Sequence, residues 1–170
     1  MPKVLIETKI NVKQLQQTAK DILTHPAQFC IDQWFVEPGD DAWYDIADTD
    51  ACLTTLNPTK NCGTAACING WVLARNAKKA ISLVKKYENS FEPYKTQEYE
   101  PREYDTYLSA EAKAGQSLLG LTDGQTHRLF FLENWPEKFQ TRYHKAATNR
   151  TRAKVAYDRI LHFINTLGYE

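Results

Sequence analysis

No stretch of the sequence approaches the roughly 18–20 apolar residues that a membrane-spanning helix needs. The segment Met1-Pro2-Lys3-Val4-Leu5-Ile6-Glu7-Thr8-Lys9 contains only Val4-Leu5-Ile6 as an apolar run. That is too short for the core of a secretory signal, so the expected location is cytoplasmic and the expected thiols are reduced. Excess charge is missing as well. Lys plus Arg number 21 and Asp plus Glu 21, for a formal net charge of zero. A general nucleic-acid binder carries a basic excess, so the balance argues against nucleic acid as a partner. There is no internal repeat, no low-complexity tract and no Gly-Lys-Ser/Thr phosphate loop. The acidic stretch 37–50 lacks the central Gly and the final Glu of a calcium-binding EF-hand. No cofactor is expected.

What is present is ordinary globular composition: 170 residues, 42% hydrophobic and 25% charged. The length suits a single domain, residues 1–170. Asn11 and Gln14 have capping-box spacing, and Val12, Leu15, Ala19, Ile22 and Leu23 follow at helical intervals. Pro26 ends that helix or opens a short second one carrying Phe29, Cys30 and Trp34. Thr64 is placed to cap a helix from about Ala65, which continues after a break near Asn76. A helix from Ser109 to Leu119 ends at Gly120, and Thr122 with Gln125 opens the next. Asn134-Trp135-Pro136 stops that helix and starts another, and the last helix runs from about Arg152 to Leu167. The expected fold is therefore mainly α, one compact domain of about six helices with a short strand at Val4–Ile6.

Two irregular insertions interrupt it. Residues 37–62 form an acidic loop region, with Glu37, Asp40, Asp41, Asp45, Asp48 and Asp50 and with Trp43 and Tyr44 as anchors. Residues 85–108 carry Tyr87, Phe91, Tyr94, Tyr99, Tyr104 and Tyr107 with no period. These rings suit either amphipathic clamps over the core or a recognition flap, since tyrosine offers large contact area at low entropic cost.

The segment Asn61-Cys62-Gly63-Thr64-Ala65-Ala66-Cys67-Ile68-Asn69-Gly70-Trp71 stands apart. It resembles a Cys-Gly-Thr-x-x-Cys-x-x-Gly-Trp block of uncharacterised bacterial and phage proteins. His25-Pro26 before Trp34, Leu119-Gly120-Leu121-Thr122, Leu129-Phe130 and Asn134-Trp135-Pro136 extend the similarity over most of the chain outside 85–108. The resemblance implies a shared fold and a phage- or mobile-element-linked accessory role, and it carries no mechanism.

The block itself admits four readings. Cys62 and Cys67 are small buried packing residues in the first. In the second, Asn61, Cys62, Gly63 and Thr64 offer unpaired amides at a helix N-terminus to a small anionic ligand, framed by Trp71, Trp135 and Tyr104. In the third, Cys62 is a thiol nucleophile of a hydrolase or transferase, with His127, His144, His25 or His162 as its base. In the fourth, Cys62 and Cys67 join Cys52 and Cys30 around zinc, although no second close pair completes the usual spacing. A basic run of seven Lys and Arg between Pro136 and His162, and a Leu-Gly-Leu-Thr turn between helices, keep a small nucleic-acid-binding module as a further alternative. The preferred expectation is a non-catalytic cytoplasmic binding or accessory protein that recognises a small anionic ligand or a protein partner.

Overall fold

The computed structural model describes residues 9–31, 35–36, 65–90 and 108–170. Seven α-helices dominate them: α1 (Val12–Thr24), α2 (Ile68–Ala74), α3 (Ala77–Ser90), α4 (Ala110–Leu119), α5 (Asp123–Phe130), α6 (Glu137–Lys145) and α7 (Asn149–Thr166). The fold is mainly α, as the periodicity implies. Two-residue strands β1 (Phe35–Val36) and β2 (Ala65–Ala66) pair antiparallel, with Phe35 opposite Ala66. No described helix is long and apolar enough to cross a membrane. The strand expected at Val4–Ile6, the acidic loop region 37–62 and the Tyr-rich residues from 91 to 107 lie outside the described residues.

Short-range chemistry sets most helix boundaries. Asn11 Oδ1 accepts from the Gln14 N–H at 3.1 Å. The Gln14 side chain returns to the Asn11 amide rather than to its backbone, so only half of the box forms. Ser109 caps α4 by accepting from the Ala112 N–H at 3.2 Å. The Thr122–Gln125 box is complete: Thr122 Oγ1 accepts at 3.3 Å, and Gln125 Oε1 accepts the Thr122 N–H at 2.9 Å. Between them Gly120 stands at φ +66°, where a side chain would be strained and would also meet the Lys9 carbonyl oxygen at 2.7 Å. That close approach lets the Asn11 N–H reach the Leu119 carbonyl at 2.8 Å and seats the start of α1 on the end of α4.

Four boundaries differ from the expectation. The helix of the cysteine block starts at Ile68 with Cys67 as its cap, not near Ala65 with Thr64. Ala65 and Ala66 are extended because they pair with β1, and Ala66 also bridges Phe29 in parallel. Pro26 opens a single 3-10 turn, Pro26–Gln28, instead of a helix, since Phe29 leaves it extended to make that bridge. Helix α3 runs on to Ser90, well past residue 85. Helix α7 begins at Asn149, because a Thr148–Thr151 capping box nucleates a polar first turn that apolar spacing cannot show.

The buried apolar residues form one contiguous core. Its most extensive contact joins α1 to α7, followed by α3 to α4. Helix α2 lies among α1, α4 and α3, and every one of its residues is buried.

Candidate functional site

The second half of the cysteine block is interior. Cys67 Sγ caps α2 by accepting from the Gly70 N–H at 3.4 Å. Burial pushes its thiol up to about 12 against the partial relief of the Gly70 and Asn69 amides, so it stays protonated and unreactive at neutral pH. Cys30 lies beside it, since the Cys30 N–H donates to the Ala66 carbonyl at 3.1 Å. Both thiols are free. Among the described residues no group of three or more His, Cys, Asp or Glu could hold a metal. Cys62 and Cys52, the other two members of the zinc alternative, lie outside the described residues.

The two tryptophans expected to frame a ligand are core residues. Trp71 is fully buried, and its Nε1–H donates to the Gln28 carbonyl at 3.2 Å, with His25 stacked on its ring at 5.9 Å. Trp135 donates to the Leu129 carbonyl at 3.0 Å and meets Tyr143 edge to face. Their polar edges are spent on internal carbonyls, so neither ring faces a ligand. Asn61, Cys62, Gly63, Thr64 and Tyr104 lie outside the described residues. The helix expected to open at about Ala65, directly after residues 61–64, begins at Ile68. His127 stacks on Phe131 at 5.2 Å, and its Nε2 is buried without a hydrogen-bond partner.

Of the basic run between Pro136 and His162, only Arg159 is buried, while Lys138, Arg142, Lys145, Arg150, Arg152 and Lys154 are exposed. Arg142 and Lys154 both pair with Asp158. Burial alone would raise that carboxyl, but the hydrogen bonds and charges of Lys154 and Arg142 hold it below its usual range. Arg152 lies over the Tyr143 ring, Lys138 over Phe139, and Arg159 is wholly buried. Helix α5, which follows the Leu-Gly-Leu-Thr turn, directs Gln125, Thr126, Leu129 and Phe130 into the interior. It therefore presents a poor face to a nucleic-acid groove.

A site the sequence did not single out lies on the other side of α1. A cleft of about 370 Å³ opens between its first two turns and the α2–α3 turn, lined by Asn11, Lys13, Gln14, Gln17, Arg75 and Asn76. Two of these are cations and four are carboxamides. Arg75 is held by a fork onto Asp21, with Nη2 at 3.3 Å from Oδ1. Gln17 Nε2 also donates to Asp21, at 3.1 Å. Asn76 is oriented by its bond to the Val72 carbonyl at 2.9 Å. Gln14 Nε2 is buried with no hydrogen-bond partner. The cleft was hard to read because Asn11 and Gln14 already had a helix-capping role, and Arg75 lies about 60 residues away from them in the chain. The one available signal was the long polar face of α1.

Comparisons with protein-family models, with curated proteins and with solved structures yield no match.

Proposed function

We propose that this chain is a non-catalytic binding protein whose ligand is a small anion seated in the α1/α2–α3 cleft. The observation that carries the reading is the lining itself: Lys13 and Arg75 beside four carboxamides, with a buried Gln14 Nε2–H donor that has no acceptor. Buried donors are nearly always paired in native proteins, so an unpaired one inside a cleft favours an external acceptor. The volume stands at the lower end of the ~300–1,000 Å³ typical of small-molecule sites. Asp21 orients Arg75 and offsets its charge, so the positive charge that the lining presents comes chiefly from Lys13. Carboxylate and phosphate both suit an ammonium point charge beside carboxamide N–H donors. A phage- or mobile-element-linked accessory role belongs to the same reading and rests on the motif resemblance.

Titration calorimetry with succinate, citrate, inorganic phosphate and a nucleoside monophosphate tests it. The expected result is saturable binding of at least one anion, weakened about five- to tenfold by Lys13→Gln, the loss of roughly 1 kcal/mol that one charge-assisted contact supplies. Binding that Lys13→Gln leaves unchanged would place the ligand elsewhere, and no saturable heat with any anion would remove the reading.

A further inference from the structure

Helix α7 ends on two consecutive left-handed residues, Leu167 at φ +51° and Gly168 at φ +71°. The Gly168 N–H donates to the Phe163 carbonyl at 3.0 Å, and Gln125 Nε2 donates to the Leu167 carbonyl at 2.7 Å. The turn sends the chain back on itself, so that the Glu170 carboxylate reaches both Arg159 and His162. Oε1 pairs with Arg159 Nη2, and Oε2 lies 2.9 Å from His162 Nε2.

Arg159 is an unusual group to find there. Its side chain is 0% exposed. Nη2 also donates to the Arg128 carbonyl at 2.7 Å, whereas Nε and Nη1 have no hydrogen-bond partner. The guanidinium lies against Phe139 and Phe163, 5.8 and 5.6 Å from the ring centroids. Burial and the neighbouring Arg128 charge both disfavour its cationic form, and the Glu170 carboxylate supports it. A buried guanidinium without a counter-ion is strongly unfavourable. The Glu170 side chain is the carboxylate that supplies one, and the exposed Tyr169 before it adds little anchorage. Release of that side chain leaves a buried cation that another anion can stabilise.

We propose that Arg159 and His162 form an exchangeable carboxylate-binding site, occupied internally by Glu170 and open to an external monocarboxylate with an apolar stem. The shape selects this class. Two donors on separate side chains match the two oxygens of one planar carboxylate, as Glu170 shows. The walls are the Phe139 and Phe163 rings, which welcome a hydrocarbon stem and penalise a fully hydrated inorganic anion. The site is separate from the Lys13–Arg75 cleft and does not depend on it.

The test is chemical rescue of the full chain carrying Glu170→Ala, read by calorimetric melting. The variant is expected to melt about 5–10 °C lower, as a buried cation loses its partner. Propionate is expected to restore most of that loss saturably, with propionamide and sodium chloride at matched concentration giving none. The His162 Nε2 resonance is expected to shift along the same titration curve. Glu170→Gln fills the space with an amide, so propionate is expected to leave it unchanged. Lys13→Gln added to Glu170→Ala is expected to leave the rescue intact, which separates this site from the cleft. Equal stabilisation by propionate and chloride, or equal stabilisation of the wild type and Glu170→Ala, overturns the proposal.

Discussion

Cys67 does with a thiol what Ser or Thr does at most helix starts. The sulfur accepts the Gly70 N–H, and burial keeps it protonated. Its folded pKa, about 12, lies above the ordinary 9.0, so the folded state holds one more proton between those values. The contribution is complete below pH 9 and is lost as pH rises toward 12, at about 1.4 kcal/mol per pH unit. Cys67→Ser keeps an acceptor at the cap and removes the titration. Urea melts of this variant are expected to show a flatter fall in stability between pH 9 and 10.5 than the wild type. Gly115 gives a second residue-scale prediction. A Cβ there would overlap the Asn69 side-chain oxygen and approach the Phe130 ring at 3.2 Å. Gly115→Ala is therefore expected to cost about 1–3 kcal/mol, despite alanine's better helix propensity. Combining it with Asn69→Ala should relieve the overlap, and a sum equal to the two single losses would show that the contact is not the cause.

The boundaries that could be read in advance were those decided within four residues. Thr122 with Gln125, Asn11 with Gln14, Ser109, and Gly120 at its left-handed position all satisfy or end a helix locally, and each is found where the sequence places it. Thr122→Ala is expected to lower stability by about 1 kcal/mol, with faster amide exchange confined to the first turn of α5. An unchanged exchange pattern would mean that packing alone holds that end. The start of α2 could not be read, because Thr64 is a preferred cap by residue type and cysteine is not. The choice falls to a partner far away in sequence: Ala65 and Ala66 are drawn into pairing with Phe35 and Val36. Helix α2 also lacks a polar face, so its periodicity carries no amphipathic signal. The same long-range assembly hid the candidate cleft, whose Arg75 meets α1 only after the chain has folded.

Zero net charge argues for weak polyanion binding by the whole molecule, although the basic run of α6 and α7 is mostly exposed. Retention on heparin is expected to end by about 0.2 M salt, since a balanced charge leaves only a small local basic excess to release counter-ions. Retention well beyond that would restore the nucleic-acid alternative. The most extensive contact of the fold, α1 against α7, joins segments roughly 125 residues apart. That spacing has a consequence for biosynthesis. At ~5–20 residues per second, α1 waits about 6–25 s after its own emergence before α7 is made. For that interval Leu15, Ala19 and Ile22 have no final cover. A ribosome-tethered chain halted before Asn149 should therefore recruit chaperones along α1 and remain sensitive to protease, until elongation through Thr166 supplies the missing helix.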